Sequence, residues 1–176
     1  MKKMIALILA LVMVASMAAC GKKTAAADKT PLAGTMEENV LKVMEIAPVE
    51  FMGGLYPVDL ADTSEDGLWA IQSFTGLSDT SKITDLAVYE SMIGAQAFSL
   101  VMVRTAEGVD AKAVAQEMKY NIDPRKWICV CADEVMVAGY SDTVMFIMVD
   151  TMMGLHAQSY VDAFAQVAGG ELDFTI

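Results

Sequence analysis

Residues 127–150 read WICVCADEVMVAGYSDTVMFIMVD, and this stretch decides the fold. Val144-Met-Phe-Ile-Met-Val149 is apolar without a break, as a strand must be when both of its faces are covered. Gly139-Tyr140-Ser141-Asp142 ahead of it has the composition of a hairpin connection, so Trp127 to Ala138 and Thr143 to Asp150 are predicted to be antiparallel neighbours. Upstream, Ile83 to Ile93 and Phe98 to Arg104 repeat the arrangement around Gly94-Ala95-Gln96, with Leu100-Val-Met-Val103 as a second unbroken apolar run.

Helical patterns surround these strands. Thr35-Met36-Glu37-Glu38 fits a capping box and opens Val40, Leu41, Val43 and Met44, a run closed by Ala47-Pro48. Leu68, Trp69, Ile71 and Phe74 form a second helical set that stops at Thr75-Gly76. Residues 110–121 and Leu155 to Val167 supply two more. The expected fold is α+β, a four-stranded, mainly antiparallel sheet with helices packed on one face. A candidate strand–strand–helix repeat lies in its second half, because residues 99–105 (SLVMVRT) align with residues 145–151 (MFIMVDT).

The N-terminal end reads differently. The 176 residues carry 12 Lys and Arg against 23 Asp and Glu, a net charge of −11, yet residues 1–20 hold 17 apolar residues and no acid. Lys2 and Lys3 precede a run from Met4 to Ala19 broken only by Ser16. Sixteen helical residues reach about 24 Å, short of a hydrocarbon core of roughly 30 Å, as in a secretory signal rather than a spanning helix. Met17-Ala18-Ala19-Cys20 resembles the lipobox of bacterial lipoproteins, in which the cysteine takes a diacylglyceryl group and becomes the mature N-terminus. Met17 departs from the usual Leu. The resemblance implies a signal peptide over 1–19, a lipidated flexible tether over 20–34 and a single α+β domain over 35–176. Cys20 is then the lipidation site, and the mature chain lies on the extracytoplasmic face of the cell membrane. Two acyl chains suffice for stable anchoring, and Lys22 and Lys23 would favour anionic headgroups. Loss of Lys2 and Lys3 takes the charge to −13. Such a polyanion is unsuited to nucleic acid and suited to cationic partners.

Chemistry-bearing residues are sparse. Cys129 and Cys131, two apart in an expected strand, would share one face with Trp127. A dithiol or metal pair is the sharper reading. Core packing is the expected one, since a buried cysteine behaves as a small hydrophobe and one His, His156, cannot complete an ordinary zinc set. Residues 62–67 (DTSEDG) begin like a calcium loop but place Ser73 at the twelfth position, so helix capping is expected. His156 has no nucleophile elbow to work with and stands near a helix start, which suits a solvated or capping role. Asp133 and Glu134 should point to opposite faces, unsuited to a paired-carboxylate mechanism. Met145 and Met148 should do the same, as core filler rather than copper ligands. No catalytic residue, cofactor or metal is expected.

With these features in place, the chain resembles a family of small lipoproteins from Gram-positive anaerobes that is catalogued as a domain of unknown function. The residues behind the likeness are Leu55-Tyr56-Pro57-Val58-Asp59, Ile93 to Ala97 before a long apolar strand, the helix from Val109 to Met118, and Val137 to Asp142. It covers roughly residues 35–168, and Phe98-Ser99 stands where the family tends to carry acids. The likeness implies a membrane-anchored domain and transfers no catalytic residue. The leading expectation is a non-enzymatic binding or interaction module with a protein or cell-wall partner. The alternatives are a thiol or metal protein built on Cys129 and Cys131, and a small-ligand carrier. Cys20→Ser should leave the chain uncleaved or shed into the medium, read by fractionation and blotting; a correctly processed Cys20→Ser chain retained at the membrane would contradict the anchor.

Overall fold

The computed structural model describes residues 29–176. The leader, Cys20 and the first part of the expected tether lie outside the described residues. In chain order the elements are α1 (Met36–Ile46), β1 (Gly53–Tyr56), α2 (Glu65–Thr75), β2 (Ile83–Ser91), β3 (Phe98–Thr105), α3 (Ala111–Asn121), β4 (Glu134–Tyr140), β5 (Thr143–Val149), α4 (Ala157–Ala168) and β6 (Phe174–Thr175). Among the described residues, no helix is long and apolar enough to cross a membrane.

The fold is α+β, and its sheet is antiparallel throughout in the order β1-β2-β3-β5-β4-β6. It has six strands rather than the expected four. The two extra strands are short edges, and β1 contains two glycines that carry no strand signal. β6 lies against β4 because Phe174 covers the bare backbone of Gly139, where any Cβ would stand about 2.1 Å from the ring. The β4–β5 turn is also tighter than expected, two residues instead of four, with Ser141 taking φ 53 at its first position.

The helices pack on both faces of the sheet, not one. On the first face, Met36, Val40 and Val43 of α1 and Tyr160, Val161 and Phe164 of α4 cover Leu100, Met102, Met145 and Ile147. On the second, Ile71 of α2 and Val114, Ala115 and Met118 of α3 cover Val101, Val103, Phe146 and Met148. Two covered faces are the reason β3 and β5 carry unbroken apolar runs over residues 100–103 and 144–149. They also dissolve the apparent repeat. Its alignment equates Leu100, on the first face, with Phe146, on the second, and the helices following the two hairpins lie on opposite faces. Two doubly buried strands resemble each other because neither alternates, so the likeness records burial rather than register.

Local signals act as expected at the helix ends. The Thr35 hydroxyl accepts from the Glu38 amide while the Glu38 carboxylate accepts from the Thr35 amide, a complete capping box. Ser64 caps α2 by accepting from the Gly67 amide, and Gly76 ends that helix at φ 71. Ahead of α1, Lys29 to Gly34 are packed onto the domain. Lys29 Nζ lies 2.8 Å from Asp173, Ser141 Oγ donates to the Lys29 carbonyl, and Arg104 donates to the carbonyls of Leu32 and Gly34.

Phe98 is fully buried, with ring centroids 5.4 Å from Phe51, 6.1 Å from Tyr89 and 5.2 Å from Tyr160. Phe98→Ala should therefore cost about 3–5 kcal/mol in denaturant unfolding. A loss below about 1 kcal/mol would mean that this aromatic cluster does not hold α4 to the sheet.

Candidate functional site

Glu90 is the acid nearest the end of β2, a strand of otherwise largely apolar character, and the pairing of β2 with β3 sets it opposite Ser99. The chain reaches the same spot again 36 residues later, after α3, where Lys126 Nζ approaches Glu90 Oε1 at 2.5 Å and donates to Ser99 Oγ at 3.2 Å. The two charged side chains are only 11% and 16% exposed. Lys126 Nζ also lies 4.6 Å from the Phe74 ring centre and 5.2 Å from that of Trp127, so its charge is met by a carboxylate and two aromatic faces.

Burial pushes the Glu90 carboxyl above its usual range, opposed by the Lys126 charge and by hydrogen bonds from Lys126, Ser99 and Trp127. Burial likewise draws the Lys126 ammonium below its usual value, opposed by Glu90. Desolvation exceeds the mutual attraction for both partners, so the pair defines the structure of this corner more than it stabilises the fold. The folded state holds the Glu90 proton more tightly than the unfolded chain, and this contribution to stability weakens as pH rises above the ordinary carboxylate range. Lys126 releases its proton more easily when folded, and its contribution strengthens as pH climbs toward 10.5.

Above the pair opens a cleft of about 350 Å³, lined by Tyr56 from β1, Trp69, Ala70, Ser73 and Phe74 from α2, Glu90 and Ser91 from β2, and Lys126 and Trp127 from the α3–β4 connection. A second hollow of about 330 Å³ continues from it along α2 and shares Trp69, Ser73 and Lys126. The close packing of Gly76 on Asn121 and Ile122, with Asn121 donating to the Gly76 carbonyl, fixes the end of α2 against the end of α3, beside the second hollow. Both tryptophans of the chain stand here. Tyr56 and Trp69 of the lining are exposed, Trp69 by 69%, and so are Met52, Leu68, Met92, Ile93 and Ile128, which adjoin the lining segments in the chain and form an apolar rim with them, Ile128 by 98%. Met92 donates its amide to the Met52 carbonyl, which joins the β1 side of this apolar rim to the β2–β3 turn. Asp59, Asp62, Glu65, Asp66 and Asp123 are exposed and close in sequence to lining residues, with Arg125 as an exposed cation among them.

The residues singled out in the sequence fall elsewhere or in other roles. Cys129 and Cys131 are both exposed, and they precede β4 instead of lying within it, so they are not core residues. The strand begins only at Glu134 because residues 124–132 form an irregular loop, closed at its base by the Ala132 amide donating to the Pro124 carbonyl at 2.9 Å. His156 occupies the N-cap position of α4 without capping it. Its Nδ1 lies 3.2 Å from Glu134, whose other oxygen accepts from the Ala157 amide and does the capping. Those two contacts, the amide first, hold the Glu134 carboxyl below its usual range. Asp133 accepts from the Thr151 amide, so the acidic pair serves two different backbone ends. Asp62 accepts from the Ser64 amide at the start of α2, in the capping region. Met145 and Met148 are buried on opposite faces. Among the described residues, no group of three or more His, Cys, Asp or Glu is placed to hold a metal ion.

Comparison with known proteins leaves this geometry to speak for itself: no family model, no curated protein and no solved structure matches the chain.

Lys126→Met strands a buried carboxylate and should cost about 3–5 kcal/mol at neutral pH, while the double variant with Glu90→Met should recover most of that loss. The single variant should also regain stability as pH falls and Glu90 takes up a proton. Equal unfolding midpoints for wild type and Lys126→Met across that pH range would show the pair to be solvated.

Proposed function

We propose that this chain is a lipid-anchored, extracytoplasmic binding module, non-enzymatic, which uses the aromatic cleft and its apolar rim to hold a partner protein. The observation that carries the reading is the rim itself. Several large apolar side chains remain in water around one pocket floored by a desolvated ion pair, the anatomy of an interface centre rather than of a solvated surface. Methionine and aromatic side chains predominate there, as they do at interface cores. The excess of exposed acids in the flanking segments and the net charge of −13 without the leader point to a segment that carries an aliphatic or aromatic anchor flanked by Lys or Arg.

The placement of the two chain ends supports the same reading. Lys29, where the described chain begins, is clasped beside the β4–β5 turn with Asp173 and Ser141, at the Arg104 end of β3. The cleft lies at the Ser99 end, about 17 Å away along the strand. A tether running from Cys20 to Lys29 would present the cleft away from the membrane, toward a partner protein or a cell-wall component. A small-ligand carrier is the second reading, favoured by the volume of about 350 Å³, and it would show as a thermal shift with a small molecule alone.

The test is photocrosslinking on intact cells from a reactive residue placed at Trp69 or, as a control, at Glu107, which is exposed near the far end of β3. One defined partner should be captured from position 69 and not from 107, and Met92→Asp should lower the capture tenfold or more. The same set of products from both positions would overturn the proposal.

A further inference from the structure

Cys129 and Cys131 are unexplained by the cleft, yet they sit in the loop that builds one of its walls. Lys126 and Trp127 line the cleft, and the two thiols follow within five residues, both exposed. The backbone bends from Trp127 to Cys129 and is neither strand nor helix through Cys131. An extended strand would hold residues two apart at about 6.6 Å with parallel Cβ vectors, near the limit for a disulfide. That limit belongs to a strand, and Cys129 and Cys131 lie outside one. No strand ladder holds residues 127–131, and the loop is tied at its base by the Ala132–Pro124 hydrogen bond, so its tip can rearrange without unzipping β4. Neither thiol packs in the core, and two exposed thiols one residue apart are placed for each to resolve a disulfide formed by the other.

We propose that Cys129 and Cys131 form a thiol–disulfide exchange site whose substrate is a small-molecule disulfide, and that its redox state sets the position of Trp127 in the cleft wall. In the first step the thiolate of one cysteine attacks a sulfur of the small disulfide. The substrate S–S bond breaks, a mixed disulfide forms, and one thiol leaves with a proton. The thiolate of the second cysteine then attacks the protein sulfur of that mixed disulfide and releases the second thiol. The two protein thiols are oxidised by two electrons, the small disulfide is reduced to two thiols, and both cysteine protons end on the products. Closing a ring across a single intervening residue draws the chain in around Val130, and the displacement is passed to Trp127, the nearest cleft residue in the chain. The exchange stands apart from partner binding; only its consequence for recognition rests on the proposed function of the cleft.

The experiment uses the mature, reduced protein with oxidised glutathione and no partner. Mass spectrometry should show wild type ending two hydrogens lighter with no glutathione retained, while Cys129→Ser and Cys131→Ser each stop as a glutathione adduct. Tryptophan emission should shift on oxidation and return with dithiothreitol. The shift should persist in Trp69→Phe and vanish in Trp127→Phe. A wild-type protein that keeps bound glutathione would overturn the exchange site, and an internal disulfide with unchanged emission would overturn the coupling to the cleft. Failure to crosslink a partner at Trp69 would touch neither result, so the two proposals fail separately.

Discussion

The structure depends on one pairing. Phe98 to Arg104 runs against Val149 to Thr143 over seven residue pairs, and both strands are covered from above and below. Every other element is placed relative to this ribbon. α1 and α4 need its Leu100, Met102, Met145 and Ile147 face, and α2 and α3 need its Val101, Val103, Phe146 and Met148 face. The hairpins on either side carry β2 and β4 outward, and the short edges β1 and β6 close the sheet. The ends of the same ribbon divide the molecule. At one, Arg104 and Asp142 gather the incoming chain, and at the other Ser99 takes a hydrogen bond from the buried Lys126 beside the cleft.

Much of this was legible because burial writes directly into side-chain choice. The unbroken apolar runs 100–103 and 144–149 mark central strands, and Thr35 with Glu38 marks a helix start that forms as a full capping box. The same lack of alternation hid two things. A strand without polar positions does not say how many faces carry helices, and it invites a false match with any other such strand, as residues 99–105 and 145–151 did. The edges were hidden for a different reason, since strands of four and two residues with glycine or little pattern carry almost no signal. Residues 127–133 misled through propensity. Their apolar, β-favouring composition suggests a strand, but the chain must travel from the end of α3 to β4, and it does so through an irregular loop.

The site was nearly illegible, and the reason is physical. Glu90 and Lys126 become partners only when a strand end and a connection 36 residues later meet. Trp69 looked like one more apolar residue of α2, although Ile71 alone of that set is fully buried. The one usable signal was an excess: Leu68, Trp69, Ile71 and Phe74 wrap more of the helix than a single buried face requires, and the surplus lines the cleft. Cys129 and Cys131, conversely, were visible in sequence but placed in the core, because a short apolar run does not reveal whether it packs or protrudes.

An apolar face left in water can be covered by a protein, a ligand or a bilayer, and the seat of Lys29 at the opposite end of β3 argues against the last if the chain is anchored through its N-terminal end. The direct measurement is tryptophan quenching of the protein in its proposed lipid-anchored form, reconstituted in vesicles, since Trp69 and Trp127 are the only tryptophans and both line the cleft. A face turned away from the membrane predicts efficient quenching by aqueous acrylamide and none by brominated lipid. Quenching by the brominated acyl chains would place the cleft in the bilayer and contradict the account.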